Sequence, residues 1–390
     1  MSLTINDVVL DMCCSMSYRK AIDIVNRVYH RDGEDQLCLR TVNDRIESIG
    51  NDISRALERK SRTILEQNGF DPENAQPVDI SMISKSITNP GVSNETSCRE
   101  QEISKTVRDY NKGRDKCLKI RSRNLTHDIE LFPDDCVYVS IDDVGVRHQK
   151  DTRKNGGGKT GKVVENTVIH IQSKEGVYII TAVGMGKAFR LLLAYLLGNH
   201  LLENRQLYFF SDGAQNIRKG IETYFSFCPH KHILDWHHLE KRMTELLSMA
   251  LKGTKDKRHE IRKHLDAILW VGNISDAIDY IHGLDNSNIK NHQKLEEAVD
   301  YLKRRKPYFC CYALRSLLGY RNSSNPAEKA NDLVVATRQK HNGMSWSFSG
   351  SHALAVIEAI SRNGERTEWL KSHSLRFSPV CGEEFNKVAA

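Results

Sequence analysis

At 390 residues the chain has room for two or three domains. With 39% hydrophobic and 27% charged residues it can bury a core, which excludes a disordered or fibrous protein. Lys and Arg outnumber Asp and Glu by 57 to 50, a net charge of +7 that favours a polyanionic partner. No apolar run reaches the ~20 residues of a membrane span, so no membrane partner is expected. MSLTINDVVL has neither a basic n-region nor a cleavage site, so no secretory signal is expected either. The ten cysteines contain no C-x-x-C, and the adjacent pairs Cys13–Cys14 and Cys310–Cys311 suit no common zinc spacing. They predict reduced, mostly buried thiols in a cytoplasmic chain.

The first 70 residues read as helical. Ile22, Val25, Val28 and Tyr29 recur at helical spacing, and a break falls at His30–Gly33. A second helix opens with Thr41 as N-cap, and a charged third helix covers about 52–66. Residues 71–100 carry Pro, Asn and Ser without sustained periodicity and read as a linker, followed by a basic stretch over 108–123. Strands are predicted for CVYVSIDDVGV from Cys136, then VVENTVIHIQ, GVYIITAVG, QLYFFSDG and His232–Leu234. Helices follow the third, fourth and fifth strands. From about 240 to 320 every segment reads helical and basic, and a last helix runs from about Pro326 to Lys340.

Three acidic residues stand out by position. Asp142 lies within or at the end of the first strand, Asp212 ends the fourth before Gly213, and Glu328 sits in the first turn of a helix. Carboxylates on adjacent strand ends converge when the strands pair, about 4.8 Å apart. Three of them suit two hard divalent ions, the arrangement that activates a water or 3′-hydroxyl in phosphodiester chemistry. Each also has an ordinary reading: a strand end, a turn dipeptide, and a capping-box start with Asn325 at N-cap and Pro326 at N1. Asp143 directly follows Asp142. Side chains alternate along a strand, so one of the two points into the site, and the spacing does not say which.

The words YVSIDDVGVRHQK, YFFSDGAQNIRKGI, HILDWHHLEKR and NPAEKANDLVVATRQKHNGMSWSFSGSHAL occur in that order. Together they resemble the DDE transposases of bacterial insertion sequences, in the Mutator-like group, with Lre-type and Kra-type elements as the nearest types. The resemblance covers roughly 131–370 and, more weakly, 15–70. It implies Asp142, Asp212 and Glu328 as the catalytic, metal-binding carboxylates. It implies Mg²⁺ as cofactor, two ions with Mn²⁺ as a substitute, and it places Asp235 and His238 behind the catalytic groups. Arg338, Lys340, Gly343, Met344 and Trp346 match the family's signature after the Glu. An IGSG word before the Glu reads Asn322-Ser323-Ser324-Asn325 here.

The implied fold is an α/β core of RNase H-like type, a mixed five-stranded sheet with flanking helices. An all-α insertion interrupts it and an α-helical N-terminal region precedes it. The expected division is 1–70 helix-turn-helix-like and DNA-binding, 71–130 linker and basic helical segment, and 131–240 the first part of the core. The insertion then occupies 241–320, the last part of the core 321–375, and a tail 376–390. The implied activity is metal-dependent DNA cleavage and strand transfer at element ends. The partners are double-stranded terminal repeats and target DNA, bound by a homodimer or larger assembly in the bacterial cytoplasm, at the nucleoid. The alternatives are an inactive or domesticated DNA-binding copy, and a cellular RNase H-like nuclease or resolvase.

Other basic groups are DNA-contact candidates: Arg40, Asn43 and Arg45 on the recognition helix, Lys154, Lys159 and Lys162 in the glycine-rich loop 150–162, and Arg338, Lys340 and Trp346. The loop is no nucleotide-binding P-loop, because Val163 follows Gly156-x-x-x-x-Gly161-Lys162 where Ser or Thr is required. Cys228, His230, His232, His237 and His238 crowd together in sequence. A structural role is expected for them ahead of a zinc site. Trp270 and Tyr308 have two readings, core burial or stacking on an unpaired base.

Overall fold

The computed structural model describes residues 3–89, 96–121, 135–149, 162–340 and 344–381. Five stretches rich in β-branched and aromatic residues pair into one sheet in the order β3-β2-β1-β4-β5. They are β1 (Cys136–Arg147), β2 (Val163–Ser173), β3 (Gly176–Val183), β4 (Gln206–Ser211) and β5 (His230–Leu234). β1–β2 and β2–β3 are antiparallel, whereas β4 lies parallel to both β1 and β5. The sheet is therefore mixed, with helices packed on both faces.

The N-terminal helices are α1 (Leu3–Ser15), α2 (Tyr18–Val28), α3 (Leu39–Gln67), the single turn α4 (Lys85–Thr88) and α5 (Thr96–Asn111). Within the sheet region, α6 (Met185–Gly198) and α7 (Gln215–Phe225) connect the strands. The helical block after β5 comprises α8 (Trp236–Ala250), α9 (Lys255–Trp270), α10 (Ile274–His282), α11 (His292–Arg305) and α12 (Tyr312–Leu317). α13 (Asn325–Asn331) runs through a π-helical turn at Asp332–Ala336 into α14 (Thr337–Gln339), and α15 (Phe348–Arg362) and α16 (Arg366–Ser372) complete the fold.

Alternation along the strands divides the core in two. Val137, Val139, Ile141, Leu207 and Phe209 join α3, α6, α7 and α15 on one face. Cys136, Tyr208, Phe210, Ile233 and Leu234 join α8 to α11 on the other. The helical block thus closes one face of the sheet, which sets it over the ends of the parallel strands.

The N-terminal region differs from the sequence expectation. The second and third helices are one continuous α3, which starts at Leu39 with Cys38 as N-cap in place of Thr41. Gly50 lies mid-helix and does not break it. It is the point where α3 meets α15, since a Cβ there would lie 2.4 Å from Ala353 Cα. The expected break at His30–Gly33 is present: both residues have positive φ, +48° and +58°. The cap of α13 also differs. Ser324, not Asn325, is the N-cap, and its side chain makes no capping bond.

Candidate active site

The strand register assembles the acidic residues. β1 and β4 pair with Cys136 beside Gln206 and Ser140 beside Phe210. Continued by two residues, that seventy-residue offset sets Asp142 beside Asp212. β4 and β5 pair with Ser211 beside Leu234, and one residue further Asp212 meets Asp235. Three aspartates therefore stand in one row across three adjacent parallel strands, at the about 4.8 Å strand spacing: Asp142 lies within β1, which runs on to Arg147, whereas Asp212 and Asp235 directly follow β4 and β5.

Alternation separates Asp142 from Asp143. Asp142 Oδ2 accepts a hydrogen bond from Asn331 Nδ2 (2.5 Å), on the helix that carries Glu328, and its Oδ1 accepts the Asp143 N–H (2.9 Å). Asp143 turns to the opposite face, where it accepts bonds from Thr167 Oγ1 (2.6 Å) and Asn216 Nδ2 (2.7 Å). Asp212 Oδ1 accepts the Ala214 N–H (2.7 Å), so the Asp-Gly turn holds it in place.

Burial pushes the Asp142 carboxyl up to about 6; the Asn331 hydrogen bond opposes this and the negative charge of Asp212 adds to it. Burial also raises Asp143, against the bonds from Thr167 and Asn216. A half-buried carboxylate repelled by its neighbour suits a divalent cation, and the donors of this row are the oxygens that Mg²⁺ and Mn²⁺ prefer.

Asp235 is fully buried and caps α8. It accepts the His238 N–H (2.8 Å), the Ser324 hydroxyl (3.0 Å) and the Ser324 N–H. Burial disfavours its charge, but these bonds and the His238 imidazole outweigh burial and hold its pKa below the ordinary range. Ser324, inside the word that departs from IGSG, thus ties the start of α13 to the end of β5. His238 Nδ1 lies 3.3 Å from Asp235 Oδ1 and 3.4 Å from Glu328 Oε1, within ion-pair reach of both. The Asp235 carboxylate raises the His238 pKa against burial, and Glu328 and Asp212 raise it further. Ligand atoms of Asp235, His238 and Glu328 all lie within 4.8 Å of one another, so this group could hold a metal ion.

The remaining candidates are dispersed. Arg40 and Arg45 are exposed and Asn43 half-buried on the first turns of α3. Lys162 and Lys340 are exposed, whereas Lys154, Lys159 and Gly343 lie outside the described residues. Arg338 and Trp346 face inward, 2% and 6% exposed. Arg338 donates to the Cys13 carbonyl (2.9 Å) and stacks 4.8 Å over the Trp346 ring, whose indole N–H donates to the Gln339 carbonyl (3.1 Å). Both lock α14 to α1 and present no surface to DNA. His230 and His232 bind Cys228 O (3.1 Å) and Ser211 Oγ (2.8 Å) respectively and join no cluster of three ligand groups among the described residues. Trp270 packs on Trp236 (4.7 Å), and Tyr308 on His232 (4.7 Å). Asn331 and Ser324 escaped sequence reading, because neutral side chains carry no signal until the fold sets them against a carboxylate.

The raised Asp142 pKa has a signed consequence. A carboxyl whose folded pKa exceeds its unfolded value of 3.8 costs stability once ionised, so this contribution declines from about pH 4 to 6 and stays low above. Asp142→Asn removes the charge and should stabilise the fold at pH 8 without metal by about 3 kcal/mol at most, read as a raised thermal midpoint. Mg²⁺ or Mn²⁺ should raise the wild-type midpoint at pH 8 more than at pH 5, and the variant's little at either. Differential scanning calorimetry checks both; a variant less stable than wild type at pH 8 contradicts the argument.

Among the described residues no helix is long and apolar enough to cross a membrane. No family model and no curated protein matches the chain. Among solved structures, the Drosophila P element transposase strand transfer complex is similar over 100% of this chain and 91% of that one, at 9% identity and a TM-score of 0.25. A likeness at that score decides neither fold nor activity.

Proposed function

We propose that the chain is a DDE transposase that cleaves DNA at insertion-sequence ends and transfers the freed strand to target DNA. The observation that carries this reading is the row of Asp142, Asp212 and Asp235 across three adjacent strands, with Glu328 brought to it through His238. The strand order 3-2-1-4-5, with two antiparallel and two parallel pairings, supports an RNase H-like core. The words YVSIDDVGVRHQK, YFFSDGAQNIRKGI and HILDWHHLEKR, with the Arg338-to-Trp346 signature, support the Mutator-like assignment.

Asp142, Asp212 and Glu328 would hold the divalent ions, with Mg²⁺ or Mn²⁺ suited to their oxygens. Such ions supply a nucleophile at neutral pH and neutralise charge on the leaving oxygen. The protein's own groups set the geometry. Asn331 fixes the Asp142 carboxylate, the Ala214 N–H fixes Asp212, and His238 links Glu328 to the buried Asp235. The raised pKa of His238 favours an imidazolium that would hold Glu328 through charge, and the Ser324 bonds favour the ionised Asp235 behind it. No Ser, Cys or Tyr nucleophile is required.

The test is cleavage of labelled DNA carrying the element's flanking ends, in Mg²⁺ or Mn²⁺, by wild type, Asp212→Ala and Glu328→Ala. Nicking at a fixed end, lost in both variants, is expected. Tight binding without cutting in either metal would replace this reading with the DNA-binding copy, and preferential cutting at branches or hybrids with the cellular nuclease.

A further inference from the structure

The helical block between β5 and α13 reaches the site through one residue. Arg305, on the last turn of α11, bends inward over the Asp212-Gly213 turn. A Cβ at Gly213, where φ is +77°, would lie 2.8 Å from Arg305 Nε and 2.8 Å from Leu234 Cδ1, so the guanidinium packs directly on this turn. The guanidinium also stacks 5.4 Å over the ring of Tyr301, whose phenol is pushed up by burial first and by the charge of Asp212 among other causes. Arg305 therefore lies on the turn that positions Asp212.

A second guanidinium faces the same place. Arg218, on α7, stacks 5.8 Å over Tyr308, which in turn packs 4.7 Å from His232. Burial first, and then the charges of His230, Arg218 and Arg305, push His232 down to about 3, so both guanidiniums lie near enough to oppose a charge on that imidazole. The buried Nε atoms of both arginines lack a hydrogen-bond partner among the described residues. Glu222 is 3.9 Å from Arg218 Nε, too far for a hydrogen bond, and is engaged by the Tyr308 hydroxyl at 3.2 Å. No carboxylate of the described residues lies within ion-pair distance of Arg305.

An ordinary role exists for cations at the end of α11, where the helix dipole favours them. That accounts for the exposed Lys303 and Arg304. It does not account for Arg305, which is half-buried and lies on the Gly213 turn. Two guanidiniums with spare buried donors fit an anion with several oxygens, and the arginine fork matches phosphate.

We propose that Arg305 and Arg218 form a phosphodiester subsite beside Asp212, which binds a backbone phosphate of the DNA strand entering the site. The proposal rests on the transposase reading above and gives the helical insertion a part in it. Arg305 holds the phosphate from the insertion side and Arg218 from the sheet side. Lys303, Arg304 and Lys306 extend the positive surface outward from it.

The experiment measures binding of labelled duplex DNA by the full chain in EDTA, across a salt series. Wild type is compared with Arg305→Gln, Arg218→Gln, the double variant, and Lys371→Gln, which makes the same charge change on α16. Each single arginine variant should reduce the slope of log affinity against log salt by about 0.9, and the double by about twice that, with Lys371→Gln unchanged. Arg305→Lys, which keeps the charge, should retain the slope and guards against a mere packing defect. Unchanged slopes in Arg305→Gln and Arg218→Gln, with wild type binding DNA, overturn the subsite and leave the transposase reading to the cleavage assay. A wild type without DNA affinity at low salt overturns both.

Discussion

Asp142→Ala is expected to lower metal-dependent DNA cleavage by about 10³-fold or more, whereas Asp143→Asn should cause no comparable loss. Adjacent side chains on a strand face opposite ways, so the two carboxylates cannot share one role. Asp142 shares its face with Tyr208, Phe210 and Asp212, under the helical block and α13. Its carboxylate meets Asn331, three residues beyond Glu328 on the same helix. Asp143 is spent on two neutral donors, Thr167 and Asn216, which tie β1 to β2 and α7. Losing it removes two hydrogen bonds, a stability change of about 1 kcal/mol each. Cleavage kinetics of the two variants, at equal folded fraction by circular dichroism, decide the matter. Equal activity losses, or a larger one in Asp143→Asn, would move the first ligand by one residue.

The second large effect is structural. Gly50→Leu should destabilise the chain by about 3 kcal/mol, read as a lowered urea midpoint. The Cβ position at Gly50 lies 2.4 Å from both Cα and Cβ of Ala353 and 2.7 Å from its carbonyl oxygen, so α3 and α15 touch backbone to backbone. Even Gly50→Ala should lose stability, although alanine is the better helix former by about 1 kcal/mol. The displaced oxygens and carbons belong to a helix in the core and cannot rotate away as a flexible side chain would. The same contact carries polar ties: Ser54 Oγ lies 3.0 Å from His352 Nε2, and Lys187 Nζ donates to Ser54 Oγ at 2.7 Å. Separating α3 from α15 would strand these groups in the interior, which adds to the cost. A stabilised Gly50→Ala would show that the two helices are further apart than this.

The strands were legible in the sequence because their signal is local. Runs such as VVENTVIHIQ and GVYIITAVG carry β-branched residues bounded by turns, and β2 and β3 fall within a few residues of them. The seventy-residue gap between Asp142 and Asp212 was also visible. Its meaning was not, since it equals the β1–β4 register offset only once those strands pair.

Elsewhere local signals misled. The Thr41 cap signal and the charged stretch over 52–66 suggested two helices; the single α3 runs through Gly50, where Ala353, some three hundred residues away, packs against it. Arg338 and Trp346 read as surface groups because charge and aromaticity are recognised by type, whereas burial depends on α1 arriving with the Cys13 carbonyl. Sequence thus determined by itself the order of the five strands and the helices that follow them, a property of short segments. Only the tertiary structure put Asp142 and Asp143 on opposite faces with different partners, set His238 between Asp235 and Glu328, and turned Arg305 onto Gly213. Each of these depends on distances between residues far apart in the chain, and those distances are fixed by strand register and helix packing.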